Sequence, residues 1–376
     1  MRAGGRLYHA SRISSVFEYV NLDSAKGEAK PLVPCGVSGC LHDSDACPAY
    51  IRGLTCWVAD NATYSGDLFY AQTRSYIDPA THKSARHNVI ARLNPATGET
   101  ATLLTDWEYA IDQLLLYDNS IYFLSKNADG LHDVWQISEN GGVPSIFVRN
   151  DGVDITMLGM ENLAFFVQNK DGDVFRRDDG NMTRITGCEY NRGVYICDKY
   201  IYYPEKNKTT AEYEYLPGRT MPDPNGGEPL DVAVAVNACE YYRIPANWLT
   251  SSEVMTEFVT SGVQATDGGY IEGGKLYLPA WDFKYIGSKP SDGAYNDYFS
   301  RTGGAIAVVD LETLRTETLL TGADCDFTEI YAVTVDYIVG RASSPLSAYA
   351  DGVKNDEKIV VYNRKDGSVR TVLSVW

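Results

Sequence analysis

One hydrophobic phrase recurs along the chain: a small polar turn, then an aliphatic residue with one or two aromatics. It reads Gly5-Arg6-Leu7-Tyr8, Gly66-Asp67-Leu68-Phe69-Tyr70 and Asn119-Ser120-Ile121-Tyr122-Phe123. It continues as Glu161-Asn162-Leu163-Ala164-Phe165-Phe166, Asp198-Lys199-Tyr200-Ile201-Tyr202-Tyr203 and Gly273-Gly274-Lys275-Leu276-Tyr277. Val335-Asp336-Tyr337-Ile338-Val339 is a weaker seventh copy. Each copy is followed by an alternating strand, as in Val89-Ile90-Ala91-Arg92-Leu93 and Ile306-Ala307-Val308-Val309-Asp310. A tight turn comes next, often with Gly, as at Gly141-Gly142 and Asp366-Gly367, where a short hairpin needs positive φ. A last short strand closes the unit, as in Thr100-Ala101-Thr102-Leu103-Leu104. A strand also precedes the aromatic phrase in most copies, as in Gln113-Leu114-Leu115-Leu116-Tyr117.

Four strands per repeat is the unit of a β-propeller blade. Ile121, Leu163 and Ile201 hold equivalent places, and one blade fits each interval between them. The pattern therefore predicts an all-β chain: a β-propeller of seven blades, each of four antiparallel strands, as a single domain over 1–376. Six blades is the alternative, if the incomplete first copy merges with the weak last one. A sandwich would not repeat one four-strand phrase in one order. The first copy lacks room for its leading strand. Either the first blade is three-stranded or the natural chain begins upstream, with an export signal that has been trimmed.

The turns between third and fourth strands are short. Long insertions fall between second and third strands, at about 204–238, 279–303 and 341–357, with a milder one near 71–87. All lie on one face of the predicted propeller, and loops this long are usually functional or disordered. The insertion at 279–303 carries Trp281, Phe283, Tyr285, Tyr295, Tyr298 and Phe299 among Asp282, Asp292 and Asp297. That at 204–238 carries Tyr213 and Tyr215 beside Glu212 and Glu214. Aromatics interleaved with acids suit sugar stacking or anchoring of a protein partner. The plainer reading is that they pack the insertions onto the propeller. Trp281, Phe283, Tyr285, Tyr295, Tyr298, Tyr213 and Tyr215 are the candidate ligand-binding residues.

Composition narrows the partners. The 376 residues include 27 Tyr, and Lys plus Arg number 33 against 50 for Asp plus Glu, a net charge of −17. That sign argues against nucleic acid and against anionic membrane surfaces, both of which favour basic patches. No apolar run approaches the roughly 18 residues of a membrane helix.

Four of eight cysteines fall between positions 35 and 56. In Cys35-Gly36-Val37-Ser38-Gly39-Cys40-Leu41-His42-Asp43-Ser44-Asp45-Ala46-Cys47, three thiols and an imidazole could close a tetrahedral zinc site. With four protein ligands such a zinc would be structural. The competing reading is a disulfide cluster that includes Cys56, as in exported proteins. Cys188 and Cys197 could likewise pair, or serve as small apolar core residues. No P-loop, dinucleotide fingerprint, zinc-protease helix or nucleophile elbow is present, so the sequence offers no catalytic residues.

The aromatic blade phrase, with Cys35, Cys40-Leu41-His42-Asp43 and Cys47-Pro48 after its first copy, resembles bacterial cell-envelope TolB-like β-propeller lipoproteins of unknown function. The resemblance implies an extracellular or envelope location, with the membrane reached only through a lipid anchor missing from this chain. It implies no enzymatic activity. These readings together predict a monomeric, non-catalytic binding propeller at the bacterial cell surface. It would recognise a glycan or protein partner through its insertion-bearing face. A glycan- or peptide-acting hydrolase or lyase at the channel mouth is one alternative, and a structural scaffold of an envelope complex is another.

Overall fold

The computed structural model describes the chain except residues 1, 4–5, 12–15, 22–31, 34, 36, 44–46, 48, 51–55, 59–66, 78, 95–96, 162–163, 179–180, 189–191, 198, 207–212, 222–229, 236–238, 247–255, 264–266, 292–293, 322–324, 344–356 and 375–376. Over 213–221, 230–235, 281–291 and 294–303 it describes the backbone. The described residues are all-β, and every strand pairing within the sheets is antiparallel.

The first sheet comprises β1 (Arg2–Ala3), β2 (Arg6–Ser11) and β3 (Val16–Asn21). The second is β4 (Cys56–Val58), β5 (Leu68–Ile77), β6 (Ser84–Leu93) and β7 (Thr100–Trp107). The third is β8 (Ile111–Tyr117), β9 (Ser120–Lys126), β10 (His132–Ser138) and β11 (Ser145–Val148). The fourth is β12 (Ile155–Glu161), β13 (Ala164–Asn169), β14 (Asp173–Asp178) and β15 (Asn181–Gly187).

The fifth sheet has β16 (Tyr195–Cys197) and β17 (Tyr200–Lys206). After a separate two-stranded ribbon of β18 (Tyr213–Met221) and β19 (Leu230–Ala235), it resumes with β20 (Cys239–Pro245) and β21 (Glu257–Val263). The sixth is β22 (Tyr270–Glu272), β23 (Lys275–Ser291), β24 (Ala294–Asp310) and β25 (Thr316–Leu320). The seventh is β26 (Asp326–Val333), β27 (Tyr337–Ser343), β28 (Glu357–Asn363) and β29 (Val369–Ser374).

Six sheets thus have four strands in simple meander order and the first has three. This is the propeller blade repeated along the chain, and the fold class is that of a β-propeller. The first copy forms a sheet of its own. Its leading strand exists after all, as two residues with Arg2 opposite Leu7 and Ala3 opposite Arg6. What the first sheet lacks among the described residues is a full fourth strand. Leu32 takes that position as a single bridge, exchanging 2.7 and 2.8 Å backbone hydrogen bonds with Tyr19.

The chain divides into two compact units, Met1–Lys170 with Val174–Met182, and Asp171–Asp173 with Thr183–Trp376. In the first unit, β9 shows why the aromatic phrase reads as it does. Ile121 and Phe123 enter a core shared with Phe69 and Ile90 of the second sheet. Tyr122 and Leu124 enter another, shared with Phe165 and Val167 of the fourth. Successive residues point to opposite faces, and both faces are covered, so the strand is apolar throughout instead of alternating. In the second unit β23 does the same, with Leu276 and Leu278 in one core and Tyr277 in the next. Each fully buried Phe or Leu here contributes about 2–3 kcal/mol relative to exposure. Among the described residues, no helix is long and apolar enough to cross a membrane.

Candidate functional site

The cysteine segment lies between β3 and β4, in the first unit. It is moored to β3 twice, by the Leu32 bridge to Tyr19 and by a Tyr50 bridge to Val16. Local turns fold it back on itself. The Cys35 amide donates to the Val33 carbonyl at 2.8 Å, and the Cys40 amide to the Val37 carbonyl at 3.3 Å. Gly39 and His42 both take left-handed backbone, with φ of 73° and 58°. Glycine accepts that conformation without steric cost, and histidine is among the side chains that enter it most readily.

These turns bring one ligand atom from each of Cys35, Cys40, His42 and Cys47 within 4.8 Å of one another. His42 Nδ1 is 3.2 Å from Cys47 Sγ. Cys47 is buried in a core with Ala49, Leu68, Tyr70, Ala91 and Leu93, while Cys35 and Cys40 pack at its edge. None of these three is in a disulfide, and neither is Cys188 or Cys197, so Cys188 and Cys197 do not pair with each other. Cys56 lies in β4 opposite Gln72, and its side chain is outside the described residues.

The thiols are electrostatically unequal. Burial, together with the neighbouring Cys40 and Cys35 sulfurs, pushes the Cys47 thiol up to about 12. The backbone amide of His42 donates to Cys40 and, against desolvation, holds that thiol below its usual value. Three ionised sulfurs this close repel one another unless a cation sits between them. Zn–S bonds of about 2.3 Å and a Zn–N bond of about 2.0–2.1 Å give a tetrahedron with edges of about 3.5–3.8 Å. The His42–Cys47 separation is already short enough, and the widest separation needs to close by about 1 Å, within reach of side-chain rotation. The donor set fits a four-coordinate zinc.

The aromatic insertions are not loops. β23 and β24 leave the sixth sheet as one continuous hairpin, with Phe283 opposite Arg301, Tyr285 opposite Phe299, Gly287 opposite Tyr298 and Pro290 opposite Tyr295. Trp281 stands at a bulge, where the register slips between the Ala280–Ala305 and Asp282–Thr302 pairs. Bulges bend a strand and re-aim it, so the hairpin leaves the blade at Trp281. The insertion from the fifth sheet holds the β18–β19 ribbon, with Tyr213 opposite Ala235 and Tyr215 opposite Ala233. The β18–β19 ribbon lies near the sixth sheet, with β19 against β23. The milder insertion is also a hairpin, as β5 and β6 pair out to Ile77 and Ser84. Of the third insertion, residues 344–356 lie outside the described residues.

One constellation escaped the sequence reading. His132 opens β10, and its Nδ1 and Nε2 each lie 2.7 Å from a carboxylate oxygen, of Asp154 and Asp112 respectively. The His132 amide also donates to Asp154 at 2.9 Å. Burial alone would raise the Asp154 carboxyl, but the His132 amide and ring outweigh it and hold it below its usual value. Both ring nitrogens are engaged, so this is a clasp between the third and fourth sheets and not a poised general base. Its members stand 20 and 22 residues apart, a separation that leaves no local signature. Asp173, which could pass for part of a calcium loop, is bound by Arg184 at 2.6 and 2.9 Å.

No protein-family model and no curated protein matches the chain. Among solved structures it is similar to TolB from Acinetobacter baumannii, at 9% identity and a TM-score of 0.43, over 85% of this chain and 64% of that one. A puromycin hydrolase is similar at 13% identity and a TM-score of 0.37, over 99% of this chain and 44% of that one. The acylaminoacyl peptidase of Pyrococcus horikoshii is similar at 10% identity and a TM-score of 0.43, over 98% and 50%. The chain therefore spans under two thirds of the TolB chain and about half of each hydrolase. The fold stands on the strand order of the chain itself.

Proposed function

We propose that this is a non-catalytic binding propeller of the bacterial cell surface, recognising a glycan or protein partner through the paired insertions of its fifth and sixth sheets. The observation that carries the reading is the meeting of β19 with β23. It sets the ribbon that carries Tyr213 and Tyr215 against the strand that carries Trp281, although more than sixty residues separate them in sequence. The β23–β24 hairpin outruns its sheet. The blade is complete at the Ala280–Ala305 pair, and β25 pairs only with Ala305–Val309. Aromatic residues interleaved with acids supply stacking planes and acceptors for sugar hydroxyls, which favours a glycan. The envelope location and a lipid anchor upstream of the chain belong to the same proposal, and rest on the resemblance of the blade phrase and the cysteine segment to envelope propellers.

A glycan and peptidoglycan-fragment binding screen tests the reading, with Trp281→Ala as the matched variant. Binding that is lost in the variant supports it. Equal binding by both proteins contradicts the assigned region, and turnover of a bound glycan would make the protein an enzyme.

A further inference from the structure

We infer that Cys35, Cys40, His42 and Cys47 form a structural zinc centre that clasps the first sheet to the second. Three observations converge. The four donor atoms are mutually within 4.8 Å, drawn from a segment of thirteen residues. The donor set, three sulfurs and one imidazole nitrogen, is one that closes a tetrahedron around zinc and leaves no position for water. The segment also spans two sheets. Leu32 and Tyr50 bridge it to β3 of the first, while Cys47 packs on Leu68, Tyr70, Ala91 and Leu93 from β5 and β6 of the second.

The topology explains why a clasp is needed here. Among the described residues every later blade has four strands, whereas the first has three, with Leu32 and Tyr50 each bridging to β3. A two-residue leading strand and two single-residue bridges give the first sheet few ladder bonds among the described residues. A metal cross-link between the segment that supplies Leu32 and Tyr50 and the core beneath β5 and β6 reinforces that pairing. Metal binding and ordering of this sheet are then one event.

A disulfide cluster, with or without Cys56, would take up sulfurs only, whereas one zinc takes all three sulfurs and the imidazole. The inference does not depend on what the hairpins of the fifth and sixth sheets bind.

The test uses the full chain, purified with zinc and without chelator. Native mass spectrometry should show one zinc per chain, lost on denaturation, with Cys35, Cys40 and Cys47 then open to alkylation. Cobalt(II) in place of zinc should give the ligand-field bands of a tetrahedral site and a thiolate-to-cobalt charge-transfer band. Cys47→Ser should lose the metal. His42→Cys is the second arm, independent of whether Cys47→Ser folds: it should keep one metal and strengthen the charge-transfer band. Cys197→Ser, away from the cluster, should retain one zinc. A folded, metal-free wild-type chain would overturn the inference, whether its mass is unchanged or lowered by about 2 Da per cysteine pair through disulfide formation.

Discussion

His42 Nδ1 lies 3.2 Å from Cys47 Sγ, across a segment that enters and leaves by bridges to the same strand. Nδ1 is thereby presented to the sulfurs, and the left-handed backbone at His42 aims it there. The pair joins an exposed turn to a buried thiol, so loss of whatever holds them together should loosen the first sheet. A zinc chelator should therefore lower the thermal midpoint of the wild-type chain, and by mass action added zinc should restore it. Cys47→Ser should start lower and ignore the chelator. Equal chelator responses in the two proteins would count against the clasp.

The hairpin of β23 and β24 beyond the Trp281 bulge should be dispensable for folding. Replacing Trp281–Gly304 with a short Asn-Gly turn keeps the pairs from Lys275–Asp310 to Ala280–Ala305. The expected outcome is a thermal midpoint within about 4 °C of wild type with complete loss of glycan binding. A variant that fails to fold would make the hairpin structural.

Gly340 of β27 is fixed by close approach. A Cβ there would run into the Glu329 carbonyl oxygen and lie 2.8 Å from the fully buried Phe327 ring. Neither backbone nor a packed ring can yield cheaply, so Gly340→Ala should cost about 2 kcal/mol or more. Urea unfolding gives the number, and a change below about 0.5 kcal/mol would contradict the packing described.

Arg243 ties the fifth sheet to the sixth. Its guanidinium donates to Glu257 Oε2 and to the Leu311 carbonyl, both at 2.6 Å, and lies 4.2 Å from the centroid of the Tyr200 ring. Arg243→Met keeps much of the packing but leaves the Leu311 carbonyl without this donor. The expected loss is about 2 kcal/mol. Glu257→Gln should cost much less, because that carboxylate is half-exposed. Similar losses in the two variants would contradict the assignment.

Acid sensitivity should trace in part to Asp154. Its folded-state pKa is depressed, so its stabilising contribution is present above the ordinary carboxylate range and is lost as pH falls through the depressed value. The urea midpoint of wild type should fall over that acid window. Asp154→Asn should flatten the fall, and identical pH profiles for the two proteins would refute the role of the clasp with His132.

The repeat was legible because its second strands are buried on both faces. Ile121 and Phe123 serve one core, Tyr122 and Leu124 the next, and a strand under that constraint has little freedom to be polar. The insertions were harder to read. Interrupted by Asp, Gly, Lys and Pro, 279–303 scans as an irregular loop, yet Asp292-Gly293 between two aromatic runs is the dipeptide of a tight hairpin. The two-residue leading strand was invisible because Arg2 and Ala3 carry no alternation to detect. The Asp112–His132–Asp154 clasp could not be read at all, since its partners come from different blades. The cysteine segment announced its donors, but only the turns at Gly39 and His42 show them converging.

The most direct measurement is zinc K-edge X-ray absorption on the full chain. The account predicts a shell of three sulfurs at about 2.3 Å and one imidazole nitrogen at about 2.0–2.1 Å. A shell dominated by oxygen, or a fully folded protein with no zinc edge, would contradict it.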